Sequence, residues 1–75
     1  PFFYTYYMPD SVFNIGDLVQ FDSYGDIVGV VIDVRMSENF EPPDRVYDIL
    51  VSWADGEEFW CLDFALVLIS KYKTN

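Results

Sequence analysis

Residues 46–61 read Val-Tyr-Asp-Ile-Leu-Val-Ser-Trp-Ala-Asp-Gly-Glu-Glu-Phe-Trp-Cys, two apolar runs joined by Asp-Gly. Val46 to Ala54 is rich in β-branched and aromatic residues, which suit a pleated, half-buried strand. Asp55-Gly56 then supplies the strongest short hairpin signal in the chain, because a type I′ turn needs residues that tolerate positive φ. With a two-residue loop, Trp53 faces Glu58, Ser52 faces Phe59, Val51 faces Trp60 and Leu50 faces Cys61. That register gathers Tyr47, Ile49, Val51, Trp53 and Trp60 on one face, which is assigned to the core because Asp48 and Ser52 lie on the other. It leaves Leu50, Phe59 and Cys61 as an apolar stripe pointing outward.

Upstream, Gly16-Asp17 opens a first strand over Leu18 to Phe21 with Val19 inward, and Ser23-Tyr24-Gly25-Asp26 supplies its turn. A longer strand runs from Ile27 to Arg35. Alternation places Val30, Ile32 and Val34 on its core face and Val31 with Asp33 on the other, while Gly29 makes room for a neighbour or a bend. Met36 to Arg45 is a loop, since Pro42-Pro43 cannot donate ladder hydrogen bonds. Downstream, Leu62 to Ala65 is expected as a helical turn before a fifth strand over Leu66 to Ser70. No segment repeats and none keeps a helical period, so helical bundles and solenoids are excluded. The expectation is an all-β chain: a small five-stranded barrel over residues 13–70, an extended arm over 1–12 and a polar tail over 71–75.

The chain has 75 residues, with 13 acidic and 4 basic side chains, no histidine, one cysteine and a formal charge of −9. That length holds one core. The charge argues against direct nucleic-acid binding, which depends on lysine and arginine displacing counterions from phosphates. Hydrophobic residues at 52% argue equally against a disordered acidic tail. No apolar run is long enough to span a bilayer, the first residues lack the pattern of a secretory signal, and Pro1 is read as the residue left by methionine removal.

Catalysis has few instruments here. Without histidine the commonest base is missing, and one cysteine cannot complete a zinc site, so no cofactor or metal is expected. Cys61 reads as packing. Asp55, Glu57 and Glu58 read as solvated charge around the turn. Trp53, Tyr47, Trp60 and Tyr24 are weighed as an aromatic cage for a cation, against the simpler assignment of Tyr47, Trp53 and Trp60 to the core.

Gly16-Asp17-Leu18-Val19, Gly29-Val30-Val31, Val51-Ser52-Trp53-Ala54-Asp55-Gly56, Trp60 and Leu66-Val67-Leu68-Ile69 together resemble the small Src-homology-3-like (SH3-like) barrel proteins of tailed bacteriophages, especially those infecting cyanobacteria. Related patterns occur in Tudor-type and KOW-type barrels. The resemblance implies an SH3-like barrel and a structural place in a virion. The Ala-Leu-Tyr-Asp-Tyr type segment with which signalling members bind polyproline has no counterpart between Phe13 and Tyr24.

Pro1 to Met8 holds five aromatic residues and no charged side chain. Burying one such ring stabilises by about 1.5–3 kcal/mol, so a surface that covers several offsets the cost of ordering the segment. The expected role is therefore a non-catalytic interaction protein that docks through Phe2, Phe3, Tyr4, Tyr6, Tyr7, Phe40, Leu50 and Phe59. Its expected partner is a protein assembly such as a phage capsid, which it would decorate or join at the neck, with self-association as a further partner class. Neither a membrane nor nucleic acid is expected, and the place is a virion or the host cytoplasm. The competing expectation for the arm is that it folds back over Leu50, Phe59 and Cys61. The competing role is a soluble acidic module, either a Tudor-like reader of cationic groups or a decoy for a basic host protein.

Overall fold

The structure is a computed structural model that describes residues 11–22, 25–41 and 43–72. Its strands are β1 (Leu18–Phe21), β2 (Gly29–Met36), β3 (Tyr47–Trp53), β4 (Glu58–Leu62) and β5 (Leu66–Ser70), with one turn of 3-10 helix over Asp63–Ala65. All pairings are antiparallel, in the order β4-β3-β2-β1-β5. The fold is all-β, and the sheet is open: β4 and β5 are opposite edges and share no ladder, unlike the closed barrel expected. Even so, Cys61 of β4 and Leu66 of β5 belong to one buried cluster with Phe13, Val19, Val31, Tyr47, Ile49, Val51 and Trp53.

Two one-residue events correct the expected faces. In the β3–β4 hairpin, the Gly56 N–H donates to Trp53 O at 3.0 Å and the Trp53 N–H donates to Glu57 O at 2.7 Å. The loop is therefore the three residues Ala54-Asp55-Gly56, with Gly56 at φ +95° closing a glycine bulge. A type I′ turn would also require Asp55 at positive φ, and no described residue other than glycine has it. The extra residue sets Ser52 against Glu58, Val51 against Phe59, Leu50 against Trp60 and Ile49 against Cys61. Since the side-chain period is two, β4 turns over. Trp60, expected in the core, is 37% exposed on the outer face, while Cys61 is buried and Phe59 shares the core side.

The second event is a bulge in β2. Val31 pairs with Val51 and Asp33 with Leu50, which leaves Ile32 as the extra residue. Gly29 and Val31 face inward before it and Val34 packs against the core after it. Val30 and Ile32, both expected in the core, are instead 38% and 37% exposed. Alternation carried straight through β2 puts its first half on the wrong face.

Asp17 ties the start of the body to its end. Its carboxylate is 1% exposed. Oδ2 accepts from the Asn14 N–H at 2.8 Å and from Lys71 Nζ at 2.9 Å, and Oδ1 accepts from the Tyr72 N–H at 2.9 Å. Lys71 Nζ also donates to Val12 O at 3.0 Å. Lys71 and Tyr72, placed by sequence in the polar tail, are thus bonded to the body. Burial pushes the Asp17 carboxyl upward, but the bonds from Tyr72, Lys71 and Asn14 and the charge of Lys71 hold it below its ordinary value.

Candidate functional site: an aromatic pocket

Three rings meet where β1, β3 and β4 reach the same end of the sheet. Phe21, the last residue of β1, stacks on Trp53, the last of β3, with centroids 4.6 Å apart and planes 16° from parallel. Phe59 of β4 sits 6.0 Å from Phe21 and 5.9 Å from Trp53. With Ile27, Asp26 and Asp55 they line a pocket of about 360 Å³. The three-residue loop is what brings Phe59 here: opposite Val51, it is the diagonal neighbour of Trp53. The walls are braced, since the Ala54 N–H donates to Val28 O at 2.9 Å, the Asp22 N–H to Ala65 O at 3.0 Å and Gln20 Nε2 to Gly25 O.

The chemistry of this pocket is aromatic and anionic. Phe59 stays 41% exposed as its open wall. The indole Nε1–H of Trp53 is buried with no acceptor among the described residues, an uncommon condition for a donor of its strength. Asp55 Oδ1 accepts from the Glu57 N–H at 3.0 Å, so its carboxylate is held at the hairpin tip.

Of the residues singled out from sequence, Phe2, Phe3, Tyr4, Tyr6, Tyr7 and Tyr24 lie outside the described residues. Phe40 is half-buried and meets Phe64 edge-on at 6.3 Å, so one edge of its ring is engaged within the chain. The stripe of Leu50, Phe59 and Cys61 is not one surface: Leu50 pairs with Trp60 on the outer face, Phe59 walls the pocket and Cys61 is buried. The four-residue cage does not assemble either. Tyr47 is buried in the core and Trp60 is on the opposite face, where the Arg35 guanidinium lies 4.0 Å above its ring. Arg35 is held there by Asp48 at 3.3 Å, which explains how an outward tryptophan is partly covered. Phe21 was missed, although its i, i+2 spacing from inward Val19 was the available signal.

Burial pushes the Cys61 thiol up to about 11. Two units above the ordinary thiol value means about a hundredfold less thiolate, so Cys61 is expected to react with a disulfide reagent at pH 8 about a hundredfold more slowly in the folded chain than in urea. Equal rates would show that the thiol is open to solvent. Among the described residues no group of three or more Cys, Asp or Glu is placed to hold a metal ion, and no helix is long and apolar enough to cross a membrane. No family model, curated protein or solved structure matches the chain.

Proposed function

We propose that the chain is a non-catalytic interaction protein with SH3-like architecture, a small structural component of a bacteriophage virion such as a capsid decoration or neck protein. The observation that carries this reading is the apolar surface left on a strongly acidic body. Val30, Ile32 and Trp60 on β2 and β4, and Val67 and Ile69 on the edge strand β5, are each more than one third exposed. Among the described residues β5 is also an edge of the sheet, without a lysine or proline in its own sequence, the kind of edge that another chain pairs with. Burial of such surface, together with the aromatic rings of residues 2–7, supplies the binding free energy; no bond is made or broken.

A chain lacking Pro1 to Met8 is expected to keep its fold by circular dichroism and to be absent from particles assembled with it. Normal incorporation of that truncation removes the docking role of the arm. The second reading, an acidic module that receives a cationic group, is favoured by one observation: the ring pocket carries Asp26 and Asp55 among its lining residues.

A further inference from the structure

We propose that the pocket of Phe21, Trp53 and Phe59 is a binding site for an arginine side chain of a basic protein partner, with the guanidinium laid on the rings and paired with Asp26 and Asp55. The proposal deepens the acidic-module reading and rests on it. Its first support is shape. Phe21 and Trp53 stack on each other, and Phe59, 33° from the indole plane and 41% exposed, is the open ring, so the pocket offers one flat aromatic wall instead of the crossed walls that enclose a spherical ammonium. A planar guanidinium suits such a wall and a compact lysine head suits it less. The second support is charge. Asp26 and Asp55 are exposed acidic residues of the lining, so a cation in the pocket gains a modest attraction that an apolar occupant does not. The whole chain, at −9, favours the approach of a basic segment. The chain already makes this type of contact once, where Arg35 covers Trp60 at 4.0 Å beside the Asp48 carboxylate.

The test is a titration of the full chain, labelled with nitrogen-15, with N-acetyl-arginine-N-methylamide and with its neutral isostere N-acetyl-citrulline-N-methylamide. The two tryptophans, Trp53 and Trp60, give two indole signals, one at the pocket and one on the opposite face. The arginine probe is expected to shift the Trp53 indole at least about tenfold more tightly than the citrulline probe, and added salt is expected to weaken it. Asp26→Asn with Asp55→Asn should weaken the arginine response by roughly two- to thirtyfold, the range for two exposed ion pairs. Asparagine at 55 keeps an oxygen for the Glu57 N–H, so the hairpin stays intact. Phe59→Ala should remove the response. Equal responses to both probes, or an unmoved Trp53 indole, would overturn the site. A response that appears only after Phe2→Ser, Phe3→Ser and Tyr4→Ser overturns it in favour of the chain's own arm as occupant. Shifts confined to other acidic residues overturn the pocket but leave the acidic module standing, and silence toward a polyarginine peptide as well overturns both.

Discussion

Asp17→Ala is expected to destabilise the fold by about 1.5–3 kcal/mol, the range for hydrogen bonds to a charged group, because the carboxylate is buried while Lys71 is 48% exposed and can be rehydrated. The loss has named parts. The N–H groups of Asn14 and Tyr72 lose a charged acceptor in part-buried bonds, and Lys71 loses its counter-charge. A chain of this length holds roughly 4–11 kcal/mol in total at 0.05–0.15 kcal/mol per residue, so the loss is a substantial share of its stability. Asp17→Asn keeps an acceptor oxygen and should cost less. The pH dependence separates charge from shape. Because the folded carboxyl titrates below its ordinary value, its stabilisation is complete above that ordinary value. It is lost as pH falls toward and through the lowered folded one. Urea melts of the parent chain should therefore lose this contribution below about pH 4, while those of Asp17→Asn lack that component. A cost under about 1 kcal/mol for Asp17→Ala at neutral pH would mean that water replaces the three bonds without loss.

Gly29→Ala is expected to cost about 2–3 kcal/mol, the upper part of the range for overpacking a filled core. A Cβ at this position runs into Val51 Cγ1 and stands 2.8 Å from Trp53 Cε3 and 3.0 Å from Cδ2. Neither neighbour is the free end of a flexible side chain; both are buried, and Trp53 is pinned by its stack on Phe21. The relief must come from Val51 or from a tilt of the indole, so the near-ultraviolet dichroism of Trp53 should change along with the melting midpoint. Removing the first obstacle is a direct check. The double variant Gly29→Ala with Val51→Ala should cost less than the sum of the two single variants, by a coupling of about 1 kcal/mol or more. Simple additivity would show that the clash is relieved by the backbone instead.

Both predictions rest on contacts that the sequence only half revealed. Gly29 was legible as a close approach, because a glycine inside a run of valine and isoleucine has no propensity reason to be there, but its neighbours Val51 and Trp53 were not. Asp17 looked like an ordinary residue opening a strand. Its partners Lys71 and Tyr72 are more than fifty positions away, a separation no local pattern reports. The pocket was legible in its parts and not in its grouping. Trp53 carries the cation-binding pattern in the sequence, yet Phe21 and Phe59 are its companions in the pocket instead of Tyr47 and Trp60, and Tyr24 lies outside the described residues.

The succession of five strands along the chain and the inward set Val19, Tyr47, Ile49, Val51 and Trp53 follow from the sequence, because propensity and alternation act between near neighbours. The facing of Val30, Ile32, Phe59, Trp60 and Cys61 was settled only by the folded chain. A single added residue, in the bulge of β2 or in the loop at Gly56, reverses every side chain beyond it. Whether that residue is accommodated depends on the partner strand and on which backbone must bear a positive φ. Propensity names the strands; pairing across them selects which side of each becomes pocket, core or surface.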